Sequence, residues 1–214
     1  MRHYLEVCLK SILAGFCIVI GSTGYLVLKS NDMMILGAFV FALGLYAIIH
    51  FHLWLFTSKI SGVITHKPKY IIDVVICFVT NILSVMLLSF LLLQTRLGPT
   101  LTEMSKQLVE VKMNDTWYSI LILSFMCGGL IYLAVNGHHK CDYGAGKLAF
   151  VFLSIFIFII CGYEHVIANA CYFTYAKFFS WKALFYFFLM MAGNSIGAIF
   201  TQGIRKNIQS LYTE

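Results

Sequence analysis

The sequence predicts an all-α, polytopic membrane protein of six transmembrane helices. Hydrophobic residues make up 60% of its 214 residues and charged residues 11%, where a water-soluble domain carries about a quarter charged residues. The apolar residues gather into six runs, each close to the roughly 20 residues a helix needs to cross the hydrocarbon. Most of the charges fall in the short segments between those runs or near their ends.

The first run covers residues 8–28. It is long for a signal-peptide core and has no convincing small-residue cleavage site, so it reads as a retained helix. The second, residues 33–56, runs into a polar break at Phe56-Thr57-Ser58-Lys59, and the third covers residues 70–93. Between Arg96 and Asp115, charges mix with Leu101, Met104, Leu108 and Val111 at helical spacing. That stretch reads as an amphipathic piece at the outer mouth or as a surface linker. The fourth run, residues 117–135, precedes a basic loop, His138-His139-Lys140. The fifth starts at Lys147, is broken at Gly162-Tyr163-Glu164-His165 and resumes to Ala176; the sixth covers residues 181–204. The whole chain, 1–214, reads as one transmembrane domain.

With the N-terminus inside, 9 Lys and Arg fall on the inner side and 6 on the outer, which favours cytoplasmic N- and C-termini in a plasma or inner membrane. Nucleic-acid binding would need these bases gathered on one face, and they are spread over loops instead. The seven cysteines carry no CxxC pair and read as buried, free, small apolar side chains. Neither disulfides, a metal site nor a cofactor is expected.

The runs match in two halves. Lys10-Ser11-Ile12-Leu13 opens the first run, and Tyr118-Ser119-Ile120-Leu121 opens the fourth. Thr80-Asn81-Ile82-Leu83 lies in the third, and Gly193-Asn194-Ser195-Ile196 in the sixth. Each half thus reads intact, broken, intact, over residues 8–94 and 117–204. An odd number of spans per half forces the second to insert upside down, the inverted repeat of many transporters. A break leaves backbone donors and acceptors unpaired. Lipid cannot satisfy them, so the breaks should face protein or a water-filled path.

Glu164 and His165 lie at membrane depth, where an ionisable group defaults to a functional hypothesis. An imidazole can donate to an anion or pass a proton near neutral pH. Glu164 reads as the structural partner of backbone donors at the break. His50 and His52 read as buried hydrogen-bonding residues. Asn81 and Asn194 read as ties between helices.

Gly162-Tyr163-Glu164-His165-Val166-Ile167-Ala168-Asn169 resembles the fifth-span signature of the formate/nitrite transporter family. Leu55-Phe56-Thr57-Ser58, Ser61-Gly62-Val63-Ile64-Thr65 and Gly193-Asn194-Ser195-Ile196-Gly197 resemble its other landmarks. The resemblance covers nearly the whole chain. It implies a homopentamer with a pore through each protomer and a lipid-filled or plugged centre. It also implies passage of small monovalent anions such as formate, nitrite, hydrosulfide, acetate or lactate. By motif position, His165 matches the pore histidine and Thr65 the threonine at the second-span break. Phe56 and Phe158 match pore-narrowing aromatics, and Lys112 a vestibule lysine that draws anions in.

Several positions depart from the pattern. Only Lys59 and Ile60 separate the Leu-Phe-Thr-Ser and Ser-Gly landmarks, where relatives have a longer loop. Trp54 replaces an acidic residue, and the expected fourth-span asparagine falls on Gly128. Lys59, close to the break, reads either as a compensating charge or, the favoured reading, as a loop lysine that snorkels to the cytoplasmic surface.

The expected mechanism is transport without covalent chemistry. Lys112 concentrates anions, and the anion sheds water between Phe56 and Phe158. Desolvation raises a weak acid's pKa. A proton from the His165 site or from water then neutralises the substrate, with Thr57, Thr65 and Asn169 offering hydrogen bonds on the way. An aquaporin-like channel for water or small neutral solutes is the alternative. Asn-Pro-Ala pairs are absent, since the only prolines are Pro68 and Pro99.

Overall fold

The computed structural model describes residues 2–211. Among them are nine α-helices and one 3-10 turn: α1 (Arg2–Lys29), α2 (Met34–His50), α3 (Phe56–Lys59) leading into the 3-10 turn Ile60–Ile64, α4 (Tyr70–Leu93), α5 (Gly98–Asn114), α6 (Trp117–Lys140), α7 (Gly144–Ile160), α8 (Val166–Tyr175) and α9 (Trp181–Leu211). Four of these, α1, α4, α6 and α9, are long and apolar enough to cross a membrane, and α2 and α7 are shorter apolar helices. Large apolar side chains are exposed along all of them, Leu83, Leu87, Ile122 and Phe188 among them. Water would reject such a surface, whereas lipid tails accept it; this is a membrane protein.

Helix pairs organise the interior. α1 packs on α2 and α4, α6 packs on α7 and α9, and α2 meets α7 between the two groups. At that central contact Phe39 stacks on Phe156, with centroids 5.0 Å apart, and Phe41 meets Phe158 edge-on at 5.7 Å. Small residues let α6 and α9 approach backbone to backbone. A Cβ at Gly128 would collide with the Asn194 carbonyl, and one at Gly197 with the Phe125 carbonyl. The asparagine expected at position 128 therefore has no room there, and the position packs against α9.

The helix ends position the site. α2 and α7 stop in the same way. The Leu53 N–H bonds the Ile48 carbonyl at 2.9 Å, and the Tyr163 N–H bonds the Phe158 carbonyl at 3.0 Å. In each case the residue just before the donor adopts a left-handed conformation, His52 at φ 52° and Gly162 at φ 65°. These are the closures that satisfy a helix's last carbonyls.

Several expectations shift. Residues 56–59, expected to form the polar break, are helical, and the non-helical segment is 51–55. α3 then runs directly into the 3-10 turn, so the two short landmarks form one continuous helical stretch with no loop between them. His138, His139 and Lys140 form the last turn of α6 and not a loop. His50 and His52 are exposed and not buried. α5 is helical, with Leu101, Ser105 and Val109 on its buried face. Val111 is 71% exposed, because the inward stripe follows the four-residue spacing from Leu101. All seven cysteines are free, but Cys161 is exposed, since it lies in the turn that closes α7.

Candidate functional site

Two non-helical segments, 51–55 and 161–165, end at the N-termini of α3 and α8. Each terminus exposes backbone groups that need partners, and one asparagine serves each. Asn81 on α4 accepts from the Phe56 N–H at 2.9 Å and donates to the carbonyls of Ser11 at 2.8 Å and Trp54 at 3.0 Å. Asn194 on α9 accepts from the Val166 N–H at 2.9 Å and donates to the carbonyls of Ser124 at 2.8 Å and Glu164 at 2.7 Å. Both asparagines are fully buried. The two sets correspond bond for bond, with Trp54 and Glu164 in matching positions. Leu55 therefore matches His165, and Lys59 matches Asn169.

His165 joins the two segments. Its Nδ1 accepts the Ala168 N–H at 3.1 Å, which caps α8. A ring nitrogen that accepts carries no proton, so the proton of the neutral ring sits on Nε2. Nε2 lies 2.8 Å from the Thr57 hydroxyl on α3 and donates to it. His165 is 2% exposed and Thr57 1%, and the Phe158 ring lies edge-on to the imidazole at 6.0 Å. The centre is thus dry and closed, and its single polar hydrogen is aimed between the two segments.

Beside it stands a charged cluster. Lys112 of α5 donates to both oxygens of Glu164, at 2.8 and 2.7 Å. Asn169 donates to the same carboxylate at 2.8 Å and to the His165 carbonyl at 3.0 Å. The Asn169 Oδ1 is buried with no partner. The Lys112 and Glu164 side chains are 11% and 4% exposed, so the ammonium is neutralised by contact and does not stand free in a vestibule. The Glu164 N–H reaches the Leu123 carbonyl at 3.4 Å, and its carboxylate serves Lys112 and Asn169.

Of the residues singled out from sequence, the structure brings together His165, Thr57, Phe158, Glu164, Lys112 and Asn169, with Asn81 and Asn194 beneath them. Thr65 lies elsewhere. It is exposed at the end of the 3-10 turn, where its hydroxyl contacts the Gly62 carbonyl and the His66 Nδ1 and accepts from Gln202. Phe56 is buried next to Thr57, but its ring partner is Phe78 on α4, at 4.7 Å. The Lys59 ammonium lies over the Trp54 ring, 5.4 Å from its centroid. Sequence reasoning missed Phe41 as the ring behind Phe158 and Ala168 as the amide that fixes the imidazole tautomer. A Phe in an apolar run gives no signal, and a backbone amide gives none at all.

A buried polar centre between two helix ends, inside a helical membrane protein, is an arrangement expected of membrane transport proteins. A sequence model of the formate/nitrite transporter family matches residues 1–205, and the chain belongs to that family. Among curated proteins, none matches it by sequence. Two solved structures share its fold. A pentameric formate channel with formate bound is 22% identical over 100% of this chain and 99% of its own, with a TM-score of 0.76. An FNT family ion channel is 15% identical over 96% and 89%, also with a TM-score of 0.76.

Proposed function

We propose that this chain is a channel for small monovalent anions of weak acids, formate, nitrite or hydrosulfide, assembled as a homopentamer with one path per protomer. The observation that carries the reading is the single buried imidazole, with Nε2 held 2.8 Å from Thr57 where α3 and α8 converge. Six spans form two inverted repeats. α1, the α2–α3 pair and α4 make the first; α6, the α7–α8 pair and α9 make the second. The matching bonds of Asn81 and Asn194 support this pairing, and both termini lie in the cytoplasm of a cell whose plasma membrane holds the protein. The assembly follows from kinship with the pentameric formate channel.

The chemistry at the centre is differential solvation. Stripping water from an anion in a dry interior costs several kcal/mol even after relaxation. The Nε2–H is the donor that replaces part of that water, swinging from Thr57 to the guest. The N-terminus of α8 adds a favourable dipole. Desolvation also favours the protonated acid, so a proton accompanies the anion. Protonating the ring on Nδ1 breaks its bond to Ala168, so the proton reaches the guest most directly from the water column behind it. Phe158 closes the path and must swing aside for each passage, while Phe56 stays packed on Phe78. The Lys112–Glu164–Asn169 cluster lies on the approach from α5, and Thr65 at the exposed inner end. Lipid covers the remaining apolar faces.

The test is flux into liposomes holding the purified protein. Formate, nitrite, hydrosulfide and lactate are compared with water and glycerol. Saturable flux of at least one of these anions, above protein-free liposomes, is expected. Water or glycerol flux without any anion flux would overturn the reading in favour of a neutral-solute channel.

A further inference from the structure

The two halves of the site match bond for bond at their asparagines and then diverge in charge. On the α8 side, the non-helical segment holds Glu164, five residues before Asn169, and the two side chains bond at 2.8 Å. Glu164 also neutralises Lys112 through two bonds. On the α3 side the matching positions hold Trp54 and Lys59. A carboxylate–amide pair has been exchanged for an indole under an ammonium, at 5.4 Å.

The exchange changes the net charge of that side. A carboxylate cancels a cation, whereas an indole ring attracts one through its quadrupole and leaves the charge whole. No described carboxylate lies within ion-pair distance of Lys59. Glu6 is taken by Lys10, and Asp73 by His3. The other ionisable groups within electrostatic reach of Lys59 include Lys10 on α1, Cys77 on α4 and His139 on α6, none of them acidic at neutral pH. His139 in turn stacks on His52 at 6.1 Å.

The lysine is also held in place. Its N–H bonds the Leu55 carbonyl at 3.1 Å, and its own carbonyl accepts from the Tyr70 hydroxyl at 3.1 Å. It lies two residues after Thr57, which is about 3 Å along the helix. Side chains two apart on a helix point to different faces, so Thr57 turns to His165 while the Lys59 ammonium lies over Trp54.

We propose that Lys59, poised over Trp54, is the anion-binding cation on the α3 side of the path, and that it gives this mouth a higher affinity for the permeating anion than the Lys112–Glu164 mouth. This inference rests on the transport reading above and adds to it a direction. Anions dwell longer on the α3 side, and the conductance is asymmetric.

The test uses the full chain reconstituted in liposomes of known orientation, with formate as the probe at low ionic strength. Half-saturating formate is measured separately at each face for the wild type, Lys59→Arg, Lys59→Asn and the pair Trp54→Glu with Lys59→Asn. The wild type and Lys59→Arg should saturate at lower formate on the α3 face, and this difference should shrink in 0.5 M inert salt. Lys59→Asn should raise the α3-face value by about tenfold and leave the other face within twofold. The double variant, which leaves a carboxylate with no paired cation on that side, should raise the α3-face value beyond that of Lys59→Asn alone. Equal values on both faces of the wild type, or a Lys59→Asn change of the same size on both, would overturn the proposal. Should Lys59→Asn fail to assemble, the two faces of the wild type and their salt dependence decide alone. Absence of any wild-type formate flux above protein-free liposomes is a different result, since it removes the transport reading and this inference with it.

Discussion

At the scale of single residues, most polar atoms of the site have partners, the Asn169 Oδ1 excepted. His165 spends Nδ1 on the Ala168 amide and Nε2 on Thr57, and Glu164 is saturated by Lys112 and Asn169. Such a pair is fragile when one member is removed, because the other remains buried and charged. Lys112→Gln should therefore cost about 3–5 kcal/mol, read as a lower midpoint of thermal unfolding in detergent. Lys112→Gln combined with Glu164→Gln should recover much of that loss. Equal midpoints for the wild type and Lys112→Gln would mean that the ion pair does not form. The unpartnered Asn169 Oδ1 is the one buried acceptor here left open, and it lies beside the histidine's backbone.

At the scale of elements, the two non-helical segments decide where everything else can sit. Both follow a helix closed by a left-handed residue, Gly162 in one half and His52 in the other. Glycine adopts that conformation freely, whereas an L side chain is strained by about 1–2 kcal/mol. His52→Gly should accordingly raise stability by about 1 kcal/mol, less whatever its stacking on His139 contributes. Gly162→Ala should lower stability by about 1–2 kcal/mol, since open space surrounds its Cβ position and only the backbone objects. Thermal unfolding of both variants checks this, and shifts of the same sign would contradict the paired closure.

Much at this scale was legible from sequence, because hydropathy runs of the right length set the long helices. α4 begins and ends where expected, and the non-helical segment 161–165 falls where polar residues interrupt an apolar run. The first-half break was misplaced by a few residues because its true members, Phe51, Leu53, Trp54 and Leu55, are mostly apolar. Hydropathy cannot register a break whose backbone is satisfied by a distant asparagine. Val111 was misassigned for a related reason: an apolar residue near the end of an amphipathic helix fits two stripes, and only packing chooses between them. Thr57 and Thr65 were both flagged. The distinction between them is geometric, since Thr57 follows the break by two residues and turns toward His165.

At the scale of the whole molecule, the protein has near-symmetric scaffolding and an asymmetric centre. Asn81 and Asn194 repeat one hydrogen-bond pattern across its two halves, yet Leu55 occupies the position that matches His165. The one imidazole of the centre therefore sits in a scaffold whose two sides carry different charges, an ion pair of Lys112 with Glu164 on one and Lys59 over Trp54 on the other. The sequence marked the histidine through its neighbours in the motif. It could not mark the tautomer, which depends on a backbone amide three residues on.

The central claim is that this Nε2–H receives the dehydrated guest and helps it leave as the neutral acid. The most direct measurement is formate flux into liposomes across a pH series for the wild type, His165→Asn and His165→Phe, with the protein-free leak subtracted. Asn keeps an N–H donor but does not titrate, and Phe keeps neither. The account predicts that His165→Phe loses at least about tenfold in flux, the effect of 1.4 kcal/mol at the barrier, and that His165→Asn keeps most of the flux with the wild-type pH profile, because the ring donates a hydrogen bond and the proton comes from water. Wild-type flux in His165→Phe, or a changed profile in His165→Asn, would contradict it.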